Sequence, residues 1–302
     1  MTTYRPPHEL YPFQSHWLDL DGIRLHYLDE GPKDAPPVLM LHGNPTWSFY
    51  YRDLVRDLRN RYRCIVPDHI GCGLSDKPAD SAYPYRLERR VSDLNALITQ
   101  LEISQPIRLV VHDWGGMIGL AWATAQATQI ARMVLLNTAA FHLPDDKRFP
   151  FALWLAGRTR LGALMVRGMN AFSAVAARVA FKRPVSKAVR AGYTGPYNSW
   201  ANRIATLRFV QDIPLRKGDP GYDIITRTQE RLADLRTVPT LLAWGCRDFV
   251  FDTTFLRRWQ ALLPEAEVLR YEKFGHYILE DGGAELRAHI ERFLNVPETV
   301  EL

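Results

Sequence analysis

Cysteine is scarce in this chain of 302 residues, which has three, at positions 64, 72 and 246. An odd number of cysteines without metal-ligand spacing predicts free thiols in a reducing compartment. The chain also has no uncharged apolar run of the roughly 18 residues that a membrane span needs. Residues 1–7 lack the apolar segment of a secretory signal. These absences predict a cytoplasmic protein without a transmembrane segment.

Neither sign of charge is in large excess, since 38 Lys and Arg face 33 Asp and Glu for a net charge of +5. The basic residues are expected to be dispersed among the acidic ones, and pairs such as Arg89-Arg90 are expected on solvated helix faces. We therefore expect no nucleic-acid partner. No group of His, Cys, Asp and Glu has metal-ligand spacing, and the glycines at 71 and 73 lie outside a dinucleotide fingerprint. The sequence therefore predicts neither a metal nor an organic cofactor.

A regular alternation of strand and helix patterns is present instead. Residues 17–28 alternate polar and apolar around Asp21-Gly22, which is typical of a hairpin. Further strands are predicted at 38–41, 64–67, 109–112, 133–136, 240–245 and 267–271, and helices at 48–58, 87–101, 117–127 and 284–294. This alternation predicts an α/β fold, with a mostly parallel eight-stranded sheet flanked by helices.

The alternation stops after the sixth strand, where helical apolar stretches follow without an obvious strand. We predict a helical cap over residues 141–212, inserted into a main domain of residues 1–140 and 213–302. Its large apolar side chains belong either to the core between cap and main domain or to a ligand cavity, which favours a hydrophobic small-molecule substrate. These side chains are Phe151, Leu153, Leu155, Leu164, Met165, Met169 and Phe172.

The strand at 109–112 runs into Asp113-Trp114-Gly115-Gly116, where small residues permit a sharp turn into a helix. Such a strand–turn–helix corner is a nucleophile elbow, which exposes one side chain at the carboxyl edge of the sheet. Here that side chain is the carboxylate of Asp113, not a serine hydroxyl. A carboxylate nucleophile attacks saturated or strained carbon and leaves an ester. The alternative is that Asp113 is only a helix cap.

A nucleophilic aspartate needs a base and an acid that orients it, in the chain order nucleophile, acid, histidine. His276 follows the last predicted strand and is the candidate base, while His26 is expected at the surface. Asp248 follows the seventh strand and is the candidate acid, because the position after the sixth strand holds Asn137. Asp252 is the nearby alternative for the acid.

The loop after the third predicted strand is expected to supply hydrogen-bond donors beside Asp113. In such a fold this loop and the residue after the nucleophile form an oxyanion hole, so the donors are predicted from Asn44 and Trp114. Their side chains also carry N–H groups that suit a leaving group departing as an anion. The alternative is a capping asparagine and a core tryptophan.

Together these segments resemble the haloalkane dehalogenase branch of the α/β-hydrolase superfamily over nearly the whole chain. The resemblance rests on HGNPT at 42–46, PDHIGCGLSDKP at 67–78, HDWGG at 112–116 and the loops of Asp248 and His276. It implies the α/β-hydrolase fold with an Asp113 nucleophile, and a leaving group held by Trp114 and Asn44. One departure is Val111, where the superfamily usually has glycine.

Within that branch, NPTWSFYYR at 44–52 is similar to the β-lactone decarboxylases of bacterial olefin biosynthesis. This resemblance implies conversion of a cis-3,4-dialkyloxetan-2-one to a cis-alkene and carbon dioxide, in an assembly with other olefin-biosynthesis enzymes. Haloalkane dehalogenation is the first alternative. An epoxide hydrolase, with Tyr193 and Tyr197 as proton donors, and a non-catalytic scaffold, which a complete triad disfavours, are the others.

Overall fold

The computed structural model describes residues 4–295, and one eight-stranded sheet runs through them. The strands are β1 (His16–Leu20), β2 (Ile23–Glu30), β3 (Pro37–Leu41), β4 (Arg63–Pro67), β5 (Ile107–Asp113), β6 (Ile130–Thr138), β7 (Thr240–Gly245) and β8 (Glu267–Tyr271). Their spatial order is β1-β2-β4-β3-β5-β6-β7-β8. The β1–β2 and β2–β4 pairs are antiparallel and the others are parallel. The predicted mostly parallel sheet is confirmed.

The predicted hairpin joins β1 to β2 through Asp21 and Gly22, whose φ angles are 57° and 84°. A two-residue turn with both φ angles positive matches the twist of the strands it joins. Of the two, Asp21 is the residue for which this left-handed backbone is unusual, although Asp tolerates it better than most residues.

Helices cover both faces of the sheet, and the sheet separates two apolar cores. They are α1 (Arg52–Leu58), α2 (Leu87–Gln100), α3 (Trp114–Ala123), α4 (Phe151–Arg158), α5 (Arg160–Met169), α6 (Ala171–Val179), α7 (Lys187–Thr194), α8 (Ile204–Gln211), α9 (Tyr222–Arg231), α10 (Thr253–Leu262) and α11 (Ile278–Leu294). Side chains of α1 and α11 belong to one core, and those of α2, α3 and α10 belong to the other. Among the described residues, no helix is long and apolar enough to cross a membrane.

The cap consists of helices α4 to α8, which follow β6 and precede α9. The chain returns from the cap at Asp212, a buried residue directly after α8. Its Oδ2 accepts the backbone N–H of Leu87 at 2.7 Å, and its two oxygens pair with Arg86 and Arg90 at 3.0 and 3.2 Å. The end of the cap is thereby fixed to the start of α2. The domain boundary at 212 remains a prediction.

Two helices begin earlier than the sequence predicts. Helix α3 begins at Trp114 instead of 117, because the turn at Asp113 leads directly into it. Helix α11 begins at Ile278 instead of 284, and the chain kinks within it at Gly283, where φ is 53°. The two glycines at 282 and 283 interrupt the helical pattern in the sequence. For this reason the periodicity of apolar residues does not predict the first turn of α11.

Candidate active site

Asp113 is the last residue of β5, and its backbone angles of φ 52° and ψ −126° are rare for any residue except glycine. Gly115 makes the turn possible, because a Cβ there would overlap the backbone oxygen of Leu41. Val111 lies in regular pairing with Leu41 of β3 and does not disturb the turn. The strand–turn–helix corner therefore exists as predicted and presents a carboxylate.

A backbone N–H group holds this carboxylate. Oδ1 of Asp113 accepts the N–H of Asn44 at 2.8 Å, and the backbone N–H of Trp114 lies near enough to lower the pKa of the carboxyl. Gly43 permits the approach, since a Cβ there would overlap the same carboxylate. Burial raises the pKa of Asp113 above its usual range, while His276 and the two N–H groups act in the opposite direction.

His276 joins the two predicted carboxylates. Its Nδ1 lies 2.7 Å from Oδ2 of Asp248, and its Nε2 lies 3.6 Å from Oδ2 of Asp113. All three side chains are buried. Burial disfavours the imidazolium, but the charges of Asp248 and Asp113 and the hydrogen bond to Asp248 raise the pKa of His276. The structure thus brings the three predicted catalytic residues together at one edge of the sheet.

Asn137, at the competing position, and Asp252, the alternative acid, have different contacts. Asn137 bonds through its side-chain amide to both backbone groups of Gly245, which joins the ends of β6 and β7. Asp252 caps α10 by accepting the N–H of Thr254 at 2.9 Å and pairs with Lys147 at 2.6 Å. Only Asp248 of these residues reaches the imidazole.

Asp281 is a site residue that the sequence analysis missed. It is fully buried, and its Oδ2 accepts the N–H of Gly275 at 2.7 Å, beside His276. Its Oδ1 accepts the N–H groups of Lys182 and Arg183 from the cap at 2.7 and 2.8 Å. One carboxylate therefore fixes the histidine loop to the cap. It lies in the hidden first turn of α11, so no pattern pointed to it.

His112 supports the histidine loop from the other side, since its Nε2 lies 2.9 Å from the backbone oxygen of His276. Burial lowers the pKa of His112 well below its usual value, so the ring is neutral and donates this bond. His26 corrects one prediction, because it is buried instead of exposed. It bonds to Asp68 at 2.8 Å and to Ser15 at 2.9 Å.

Asn44 and Trp114 lie beside the carboxylate as predicted, and both line the cavity above it. The side-chain nitrogen of Asn44 donates to the backbone oxygen of Thr206 at 3.1 Å. An amide nitrogen carries two hydrogens, so one remains for a ligand. The ring of Trp114 packs edge-on against Phe209, with centroids 5.1 Å apart. Both residues touch the space where a leaving group would form.

A cavity of about 330 Å³ lies above Asp113, between the sheet and the cap. Its polar lining is mainly Asn44, Asp113 and His276, and most other lining side chains are apolar. Four of the predicted cap residues line it, namely Leu153, Leu155, Met165 and Phe172. Phe151, Leu164 and Met169 do not line it and are exposed, so they belong neither to the cavity nor to the core.

The cap tyrosines Tyr193 and Tyr197 are buried outside this cavity. The hydroxyl of Tyr193 donates to Glu280 at 2.5 Å, and that of Tyr197 donates to the backbone oxygen of Thr46 at 3.2 Å. Neither hydroxyl is available to protonate a ring oxygen above Asp113, which disfavours epoxide hydrolysis. Across residues 4–295 there is also no group of three or more His, Cys, Asp or Glu that would hold a metal ion.

Comparison with known proteins identifies a family, two relatives and a solved structure that this chain is similar to. The family described as the alpha/beta hydrolase fold matches residues 36–283. The chain is 53% identical to a cis-3-alkyl-4-alkyloxetan-2-one decarboxylase of Shewanella oneidensis, over 96% of this chain and 91% of that protein. It is 46% identical to a protein of the same name from Xanthomonas campestris, over 94% and 97%. A solved haloalkane dehalogenase variant from Bradyrhizobium elkanii is 26% identical, with a TM-score of 0.81 over 93% and 96% of the two chains.

Proposed function

Since this chain belongs to the α/β-hydrolase family, we propose that it is a β-lactone decarboxylase with an aspartate nucleophile. It converts a cis-3,4-dialkyloxetan-2-one into a cis-alkene and carbon dioxide. The names of the two relatives at 53% and 46% identity support this substrate class. The observation that carries the proposal is the way Asp113 is held, with Oδ1 bonded to Asn44 and Oδ2 facing His276.

This arrangement favours attack on a saturated carbon. In acyl transfer, the backbone N–H groups beside the nucleophile bind the developing oxyanion of the substrate. Here the N–H of Asn44 already bonds to Oδ1 of Asp113, and the N–H of Trp114 lies beside the same carboxylate. A tetrahedral oxyanion from attack on the lactone carbonyl would lack these donors. We therefore place the attack of Oδ2 at C4, the ring carbon bonded to the ring oxygen.

Two steps complete the reaction. In the first, Oδ2 of Asp113 bonds to C4 as the bond from C4 to the ring oxygen breaks, which leaves an aspartyl ester and a substrate carboxylate on C3. In the second, the bond from C3 to that carboxylate breaks and releases carbon dioxide. Its electron pair forms the alkene bond as C4 separates from Asp113. Every substrate atom appears in the two products, and no water or proton is consumed.

The stereochemistry follows from the same steps. Attack at C4 inverts that carbon, and loss of carbon dioxide opposite to the departing carboxylate of Asp113 is an anti elimination. Inversion followed by anti elimination gives the alkene geometry of a direct syn elimination. A cis-lactone therefore gives a cis-alkene.

His276, oriented by Asp248, is the proposed base of the triad, and its charge also acts on Asp113. A protonated imidazole 3.6 Å from Oδ2 favours the ionised carboxylate that attacks C4. Its function as a base for water is needed only if the ester is hydrolysed. The side-chain N–H groups of Asn44 and Trp114 are placed to hold the carboxylate formed in the first step.

Haloalkane dehalogenation is the second candidate, because Asn44 and Trp114 equally suit a departing halide and His276 is placed to activate water. The similarity to the Bradyrhizobium elkanii dehalogenase also supports it. The two reactions differ in their use of water. A dehalogenase must hydrolyse the ester on Asp113, whereas a decarboxylase must not.

Feeding the two substrate classes separately tests the proposal. The purified enzyme receives a cis-dialkyl β-lactone or a bromoalkane, and the products are measured by gas chromatography and mass spectrometry. We expect a cis-alkene in stoichiometric yield from the lactone. Turnover of the bromoalkane alone would refute the proposal. A 3-hydroxy acid as main product would mean that the enzyme only hydrolyses the ring.

Replacement of the histidine separates the two reactions independently. In a dehalogenase, His276→Phe would block ester hydrolysis, so the Asp113 peptide would carry a stable alkyl adduct in mass spectrometry. In the decarboxylase, the same variant forms alkene slowly and accumulates no stable adduct. Turnover in ¹⁸O-labelled water adds a second signal, since only hydrolysis inserts label into the Asp113 carboxylate.

The remaining expectations concern the cellular location, the biological process and the partner proteins. We infer a cytoplasmic location from the free cysteines, and olefin biosynthesis as the process that the alkene product serves. Assembly with the other enzymes of that process follows from the family resemblance alone. Co-purification of the tagged protein from its own host, followed by mass spectrometry of bound proteins, tests this assembly.

A further inference from the structure

Helices α4, α5 and α6 turn large apolar side chains toward solvent. We call this surface the cap patch, and its residues are Phe151, Trp154, Leu161, Leu164, Met169 and Val175. Phe151, Leu161 and Met169 are 71%, 62% and 73% exposed. Helix α5 packs between α4 and α6, so the exposed side chains occupy adjoining helices. Large contiguous apolar surfaces are uncommon on monomeric proteins and mark sites of interaction.

The spacing on α5 shows that this exposure belongs to one face of the helix. Residues 161, 164, 165 and 169 recur at intervals of three and four, which places them on one side. Gly162 and Val166 lie on the adjacent side and are buried. The solvent side of α5 is therefore apolar, where an ordinary surface helix is polar.

The cap also has an unusual charge. Residues 151–211, from the start of α4 to the end of α8, contain ten Lys or Arg and no Asp or Glu, while the remainder of the chain has more carboxylates than cations. The expectation that basic residues are dispersed is therefore wrong. Exposed cations lie on the same helices as the cap patch, among them Arg160 on α5 and Arg178 on α6. Within the described part of the chain, neither of these two arginines forms an ion pair with a carboxylate.

The cavity above Asp113 opens toward this surface. Met165, Val175 and Val179 line the cavity and are also exposed, so they stand at its rim. A molecule that rests against the cap patch therefore lies at the mouth of an apolar cavity. Chains that are poorly soluble in water would pass between the two without crossing solvent.

We propose that the cap patch docks on the surface of an anionic lipid bilayer. The apolar side chains enter the boundary between headgroups and acyl chains, and the surrounding Lys and Arg side chains meet lipid phosphates. Nucleic acid would match the charge but would leave Leu161, Leu164 and Met169 uncovered. A surface of uniform negative charge above an apolar layer matches both properties. This interaction goes beyond the proposed reaction and does not depend on it.

Sedimentation with vesicles, without substrate, tests the docking. One set of vesicles is phosphatidylcholine alone, and the other has equal parts of phosphatidylcholine and phosphatidylglycerol. We expect the wild-type protein to bind the anionic vesicles at least about tenfold more tightly, and added salt to weaken this binding. A protein that remains in the supernatant with both vesicle types would overturn the proposal.

Variants separate the apolar and the charged contributions. The triple variant Leu161→Ser, Leu164→Ser, Met169→Ser changes no cavity-lining residue and should bind at least about tenfold more weakly, with an unchanged melting temperature. Arg160→Gln with Arg178→Gln should weaken binding and reduce its salt dependence. The matched control is Arg227→Gln with Arg258→Gln, which removes two exposed charges from α9 and α10 and should bind as the wild type does.

Two further outcomes would also refute the docking. One is vesicle binding by the triple variant at the wild-type level. The other is that the wild-type protein forms an oligomer without lipid, the triple variant does not, and neither protein binds vesicles. The cap patch would then be a contact between copies of the chain. Since every readout is binding or oligomeric state, an error in the proposed reaction does not change the result.

Discussion

Asp113 combines two properties that the proposed nucleophile needs. Its strained backbone projects the carboxylate from the end of β5, and the N–H of Asn44 fixes Oδ1 while Oδ2 faces His276. Such preorganisation means that the attacking atom needs little reorientation before it reacts.

The first prediction at this scale is that Asp113→Ala abolishes alkene formation while the fold persists. Loss of a covalent nucleophile should exceed the roughly 10²–10⁴-fold effect of acid–base assistance. Turnover by gas chromatography, together with circular dichroism and binding of an unreactive alkyl ligand, measures this. Activity above about a hundredth of the wild-type rate would argue against a covalent role.

The pH profile is the second prediction. Burial raises the pKa of Asp113 above 3.8, so activity is lost as the pH falls through that raised value. Hydrolysis also requires neutral His276, whose pKa is raised above 6.5, so it would gain activity as the pH rises through a value above 6.5. For the decarboxylase, which does not need neutral His276, kcat/KM should therefore rise in one step, through the raised pKa of Asp113 alone. A second rising step at higher pH with the lactone would contradict this prediction.

The residues that the sequence located are those with a local pattern. Asp113 lies in a glycine-rich corner, Asp248 follows the buried strand β7, and His276 follows the last strand, β8. Asp281 has no such pattern, because its importance comes from Lys182 and Arg183, which are about a hundred positions away. His26 was misjudged for the same reason, since its partner Asp68 is distant in sequence.

At the scale of elements, the first turn of α11 controls how the histidine loop is held. The third prediction is that Asp281→Ala lowers stability and kcat together. It leaves three N–H groups without their acceptor, of which that of Gly275 is buried and those of Lys182 and Arg183 are partly buried. A buried group that stays unpaired costs about 1–3 kcal/mol. The loss of the bond to Gly275 frees the loop, so kcat should fall more than KM changes.

The matched control for that prediction is Asp252→Ala, at the N-terminus of α10. It removes a helix cap and costs about 1 kcal/mol without touching His276. Thermal unfolding and steady-state kinetics measure both variants. An Asp281 variant with normal kcat and reduced stability would mean that the carboxylate is structural only.

Strands β3 to β7 were predictable because each is a short, mostly buried apolar run. All six strands that were predicted individually end within three residues of the predicted bounds. The predicted helix boundaries were less accurate where the backbone conformation determines the start of the helix. The turn at Asp113 starts α3 early, and the glycine kink at 283 conceals the start of α11. The outward apolar face of α5 was missed, because periodicity shows that a face is apolar but not which way it turns.

At the scale of the whole molecule, the proposed reaction uses no cofactor, and the fourth prediction follows from it. We expect full activity after exhaustive dialysis against a chelator, because Asp113, His276 and Asp248 supply all the proposed chemistry. Lactone turnover before and after dialysis, with metal content measured in parallel, checks this. Activity that is lost and then restored by zinc or magnesium would overturn the mechanism.

The attachment of the cap has a kinetic consequence. Asp212 fixes its return to α2, and Asp281 fixes residues 182 and 183 to the histidine loop, so the cap cannot swing away without disassembling the site. Long chains must then pass lengthwise between the exposed residues at the rim to enter and to leave. Friction along that passage grows with each methylene, so pre-steady-state bursts should appear first with the longest lactones. For short lactones, turnover would be set by bond breaking alone.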